Sequence, residues 1–220
     1  MRRMTNHLLF LAVLVLAPTL PALAAGGSSV PTTDPADQAT EAYNTGIQHR
    51  DKAWELESQA ESTSDAGQRS KLETRAKKEY GKAIRAFRSA TESDPTMHQA
   101  FSSLGYALRK TGDYEASLAA YDQALELEPS YAEAIEYRAE AFLGLNRLDE
   151  VKGAYMELFR GDRERADELM AAMQQWVDER RADPQGLGTE AIEEFSVWVE
   201  ERSQVAGKTA GLQSSPARVW

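Results

Sequence analysis

Few side chains in this sequence could carry acid–base, nucleophilic or metal chemistry, and their spacing decides against most of it. Past residue 24 only two histidines remain, His49 and His98. Neither has a carboxylate at a recognisable spacing, and His98 reads as a surface residue just ahead of a helix. No His-Glu-x-x-His pair of zinc ligands occurs, nor a Gly-x-Ser-x-Gly nucleophile elbow. The Gly-Gly-Ser-Ser at 26–29 lacks the Lys and the flanking strand of a phosphate loop. With no Cys, thiolate catalysis, thiolate metal sites and disulfides are excluded. Glu190, Glu193 and Glu194 crowd one helical turn, where a helix N-terminus favours negative charge. Oxygen ligands from a single helix seldom enclose a divalent cation. The expectation is a protein that is not an enzyme, with no cofactor, no metal and no catalytic set.

The elements around these residues are helical. Between about 39 and 204 the chain is rich in Ala, Glu, Leu, Arg, Lys and Gln, and no alternating run long enough for a strand occurs. Ahead of this lies Arg2-Arg3, the apolar "LLFLAVLVLA" at 8–17, and "ALA" at 22–24, the layout of a cleaved secretory signal over 1–24. The apolar run is too short for a membrane-spanning helix, which needs about 20 residues. Cleavage would remove two basic residues and no acidic one. The 25 Lys+Arg would become 23 against 35 Asp+Glu, and the formal charge would move from −10 to −12. Such acidity argues against nucleic acid and against docking on anionic lipid. The expected location is periplasmic or secreted, with no stable membrane insertion after cleavage. Residues 25–38, rich in Gly, Ser, Pro and Asp, read as a flexible linker, and 206–220 as a disordered tail.

The most patterned stretch is "LGYALRKTGDYEASLAAYDQALELEP" at 104–129. Phe101, Leu104, Ala107 and Leu108 share one helix face. Thr111-Gly112-Asp113 stops that helix, with Gly112 suited to a left-handed cap. Ala116, Ser117, Ala120, Tyr121, Ala124 and Leu125 share a second face, which Glu128-Pro129 ends. Two short helices joined by a tight turn result, with small residues where the backbones approach.

These residues resemble a tetratricopeptide repeat, a helix–turn–helix unit of about 34 residues. Phe101, the Leu104-Gly105 pair, Leu108, Tyr121, Ala124 and Pro129 all match, and Ser117 replaces the usual Ala. The full repeat is 98–131. A degenerate repeat follows at 132–160, with Ile135, Ala139, Phe142, Val151, Tyr155 and Leu158 in place but no closing Pro. An earlier unit, 39–95, has Asn44 and Gly46 in its first helix and Ala83, Phe87, Ala90 and Pro95 in its second. It is about 25 residues longer than the family spacing. The excess reads as lengthened helices. Tyr43, Ile47 and Trp54 form one stripe, and Leu72, Ala76, Tyr80, Ala83, Phe87 and Ala90 another. Ser64 or Asp65 caps the second helix. Helices over 161–205 follow, the first capped by Asp162 and the second by Thr189. They bury Ala166, Leu169, Met173, Trp176 and Val177, then Ile192, Phe195 and Val199, and close the stack. The fold class is all-α. It is a tetratricopeptide-like helix–turn–helix solenoid over 39–160, with one elongated N-terminal hairpin and a C-terminal capping pair.

The resemblance implies a concave groove that binds a peptide or helix of a protein partner. Carried over position by position, the groove holds Gln99, Ser102, Tyr106, Arg109 and Lys110, and in the next unit Glu133, Glu136, Glu140 and Leu143. Some relatives clamp a terminal carboxylate in such a groove, but Ser102 and Tyr106 stand at two of those places here. An alternative reading is a structural homo-oligomer that associates through the long hairpin.

Overall fold

A computed structural model describes the backbone of residues 34–213 and the side chains of residues 34–208. The expected signal at 1–24 lies outside the described residues, as does 214–220. Eight helices and no strand occur among the described residues: α1 (Pro35–Ser62), α2 (Ala66–Ser93), α3 (His98–Thr111), α4 (Tyr114–Leu127), α5 (Ala132–Gly144), α6 (Leu148–Gly161), α7 (Arg163–Ala182) and α8 (Thr189–Gln213). None is long and apolar enough to cross a membrane.

Local chemistry sets the ends. Asp65 caps α2 by accepting from the Gln68 N–H at 2.7 Å, and Asp162 caps α7 through the Arg165 N–H at 3.1 Å. Gly112 closes α3 at φ 88°, a left-handed conformation that glycine adopts without strain. Asn146 takes the matching place after α5 at φ 59°, which its short polar side chain tolerates.

Two boundaries and one cap differ from expectation. Residues 35–38 of the expected linker already belong to α1. The Asp34 carboxylate accepts from the Ala36 N–H at 3.1 Å, and Pro35 supplies a preset φ in the first turn. At the other end α8 continues to Gln213, into the tail expected to be disordered from 206. Gly207 and Gly211 each cost a helix about 1 kcal/mol relative to Ala, too little to end it without a proline, and the first proline is Pro216. Thr189 is the first residue of α8 rather than its cap. The Gly188 carbonyl accepts from the Ile192 N–H at 3.3 Å.

α1 and α2 have 28 residues each, twice the 14 of α3 and α4. The extra turns lengthen each helix by about 21 Å. The α2 stripe is buried as expected, from Leu72 to Ala90. On α1, Tyr43 and Ile47 of the expected stripe pack partly buried against this core, but the most buried line is Ala39, Gly46, Ala53, Leu56 and Ala60, and Trp54 is 39% exposed. Small residues predominate on the α1 side of the seam because α2 supplies large ones, and the Phe87 ring presses directly on α1. A methyl on Gly46 would fall inside the Phe87 ring. The same closure recurs in the full repeat, where a Cβ on Gly105 would sit 2.7 Å from the Tyr121 ring.

Consecutive helices pack as neighbours, and α3 also touches α1 and α5, while α5 touches α7. The odd-numbered helices therefore form one continuous layer, the inner face of a curved stack. One apolar cluster fills α1–α3 and continues, through Leu118 and Tyr121 of α4, into a second that runs to Phe195 and Val199 of α8.

Two glycines separate close packing from helix propensity. Gly105→Ala must push the Tyr121 ring and should cost about 1–3 kcal/mol. Gly153→Ala, in α6 with nothing within 4 Å of its Cβ, should gain about 0.4–1 kcal/mol. Thermal unfolding of the two variants should move in opposite directions. A Gly105→Ala variant as stable as the parent would refute the ring-on-glycine account.

Candidate partner-binding groove

The inner layer carries a line of rings. Trp54 of α1 donates its indole N–H to the Tyr106 hydroxyl of α3 at 2.6 Å, with ring centroids 5.7 Å apart, edge to face. Tyr106 in turn meets Tyr137 of α5 at 5.0 Å and Tyr80 of α2 at 6.2 Å. The Arg109 guanidinium lies 5.2 Å from the Tyr106 centroid and 5.4 Å from that of Tyr137. Edge-to-face rings and a stacked guanidinium each add modest attraction beyond area burial.

A chain of ion pairs runs along the same face. Lys110 of α3 reaches back to Glu57 of α1 at 3.0 Å, and Glu57 also accepts from the Tyr80 hydroxyl at 2.8 Å. Arg109 pairs with Glu140 of α5. Arg165 of α7 binds Glu136 at 2.8 Å, with Glu168 at 2.8 Å and Glu133 at 3.7 Å. Every junction between neighbouring inner helices is thus bridged by at least one opposite-charge pair. Beside this chain lies a cleft of about 340 Å³ walled by Glu57, Arg109, Lys110, Glu140, Leu143 and Trp176, among others.

The candidates from sequence divide. Tyr106, Arg109, Lys110 and Glu140 come together, with Leu143 at the cleft. Glu133 and Glu136 turn toward Arg165. Gln99 is exposed at the start of α3, away from this cluster. Ser102 is fully buried and presents nothing to solvent. Trp54, Glu57, Tyr80, Tyr137 and Arg165 were not foreseen. Tyr137 and Arg165 are not repeat-signature positions, so only the folded juxtaposition exposes them. For Trp54 a signal existed: Ala39, Gly46, Ala53 and Ala60 recur at a fixed helical spacing that marks the seam, and Trp54 stands beside that line rather than on it.

His49 also departs from expectation. Its Nδ1 lies 2.8 Å from the Glu79 carboxylate, a partner 30 residues away on the opposite arm of the hairpin. The hydrogen bond from Lys82, working against burial and aided by His49, holds the Glu79 carboxyl below its ordinary value. His98 stacks edge to face on Tyr131 at 4.9 Å.

A stack of helical hairpins with a ringed, charged inner layer defines a solenoid of the helical-repeat class. Two family models match the chain, one described as "TPR repeat" over residues 105–146 and one as "Tetratricopeptide repeat" over 75–125. They support a tetratricopeptide repeat protein. No curated protein matches the chain.

Glu136 makes the groove sensitive to pH. Burial first, and then the neighbouring Glu140 carboxylate, push its carboxyl up from 4.5 to about 8 against the pull of Arg165. Between those values the folded chain keeps a proton that the unfolded chain has lost. The stability this proton confers is whole below pH 4.5 and is lost as pH rises through 8. Denaturant unfolding between pH 5 and 9 should show stability falling with pH, with a flatter profile in Glu136→Gln. Identical profiles would refute the assignment.

Proposed function

We propose that this protein is a non-enzymatic adaptor or assembly scaffold that acts outside the cytoplasm and holds an extended peptide or a helix of a partner protein in its inner groove. The observation that carries the reading is the line Trp54–Tyr106–Tyr137 set across three inner helices beside the cleft. Rings of this kind supply much contact area at low conformational cost, and flanking charges fix register. Tetratricopeptide repeats imply protein partners. The location rests on the signal-like layout of 1–24 alone.

Self-association through the long hairpin has less to recommend it. Among the described residues the exposed large apolar side chains are Trp54, Leu127, Val197 and Val205. Only Trp54 belongs to the hairpin, and it is tied to Tyr106 on the groove face.

Photocrosslinking tests the groove. With a benzophenone amino acid at Tyr106 or Lys110, irradiation of expressing cells should join the chain to a partner. A crosslink from Asp65 at the hairpin turn, with none from the groove positions, would overturn the reading. Export has its own measurement. The mature chain should appear in the osmotic-shock or secreted fraction with its N-terminus near Ala25, and a chain retained in the cytoplasm with Met1 intact would defeat that part.

A further inference from the structure

One cation at the groove stands apart from the others. Arg180, near the end of α7, is 7% exposed. Its Nε donates to the Asn146 side-chain oxygen at 3.3 Å, and its guanidinium lies 5.3 Å from the Trp176 centroid. Trp176 is itself fixed by its indole N–H donating to the Leu143 carbonyl at 2.9 Å. These neighbours orient the head and neutralise none of its charge. Among the described residues no carboxylate comes within ion-pair distance of it, although Arg109, Lys110 and Arg165 on the same face are all paired. A buried charge without a counter-ion is costly, and a protein seldom keeps one that nothing completes. Arg180 also lines the cleft of about 340 Å³ described above, together with apolar Leu143, Ala172 and Trp176.

We propose that Arg180 is the anchor for a carboxylate of the bound partner segment, seated in this cleft beside the ringed groove. The proposal rests on the groove reading and adds the chemistry of one contact. A planar guanidinium, held by one edge at Asn146, leaves its remaining N–H donors for a carboxylate in a two-point pair. A monoanion fits better than a phosphate. In the same cleft Lys110 is already paired with Glu57 and Arg109 with Glu140, so a second negative charge on the ligand would find no free cation there and would face Glu179. Arg180 is not among the groove positions that the repeat resemblance supplies. The carboxylate comes either from an Asp or Glu side chain or from a chain terminus, and the two are separable.

A random decapeptide library, made in free-acid and C-terminally amidated forms, is selected against the full chain. The affinities of selected peptides are then measured by fluorescence anisotropy on the parent, Arg180→Lys, Arg180→Gln and Tyr106→Ala. Selected peptides should share one carboxylate. Replacing it, by Glu→Gln or by amidation, should weaken binding to the parent by about tenfold or more. It should weaken binding to Arg180→Gln hardly at all, and Arg180→Lys should fall between. Loss on amidation assigns the terminus, and loss on Glu→Gln the side chain. Peptides that depend on Tyr106 but share no carboxylate, or that bind Arg180→Gln as well as the parent, overturn the proposal and leave the groove reading standing. A phosphopeptide preferred over its Glu counterpart also overturns it. A library from which the parent selects nothing defeats the groove reading and this proposal together. If Arg180→Gln unfolds, the peptide-side replacements on the parent and Arg180→Lys give the same decision.

Discussion

An aromatic ring pressed on a Cα that carries no side chain holds the first two hairpins closed. Phe87 fills the space that a side chain on Gly46 would take, and Tyr121 does the same at Gly105. In the third pair the fully buried Tyr155 and Ala139 stand at the matching positions. Glycine weakens a helix by about 0.8–1 kcal/mol relative to Ala. Burying a large ring against it returns more than this, because an aromatic removes 150–250 Å² from water. The interhelical distance fixed in this way is copied along the stack. It sets where the inner helices lie, and so where Trp54, Tyr106 and Tyr137 can meet.

The ion pairs across the inner layer act on a different quantity. Paired charges at partly buried sites contribute little net stability, since desolvation offsets much of the attraction. Their effect is on register. Lys110 to Glu57, Arg109 to Glu140 and Arg165 to Glu133 each join one helix to the next, and Arg165 also donates to the Glu136 carboxyl. A slip of one turn in any helix would leave a charge unpaired. The groove wall is therefore held in one alignment at modest gain in free energy. Glu136, at 2% exposure, is the member whose ionisation is most strained.

Repeat-signature residues made the solenoid legible in the sequence. Leu104-Gly105, Tyr121 and Pro129 gave the hairpin, and the extra spacing between Asn44 and Pro95 gave the doubled arms. Chain ends were less legible. Asp34-Pro35 is a good helix start placed inside a Gly, Ser and Pro-rich run whose composition argued for a linker. The two glycines near the C-terminus suggested an end that only a proline would have enforced. The groove was half legible. Positions carried from the family found Tyr106, Arg109, Lys110 and Glu140, but they also nominated Ser102, which packing buries. Polar contacts between helices, such as His49 to Glu79 across the long hairpin and Arg165 to Glu136 between units, join residues about 30 apart and leave no periodic trace in the sequence.

The doubled hairpin has a consequence for how the protein comes apart. In a stack whose units touch only their neighbours, stability is close to a sum of unit terms and interface terms, as in a one-dimensional chain of coupled spins. The unit made of α1 and α2 has the longest seam, so its own term is the largest, and its arms can zip together outward from the turn at 63–65. At the far end α8 packs on α7 without a further helix beyond it among the described residues. Melting would then run as a zipper from α8 inward, with the long hairpin as the last element to open and the first to re-form. The groove lies between those two ends, and its lifetime as a binding surface would be set by how far the zipper has run.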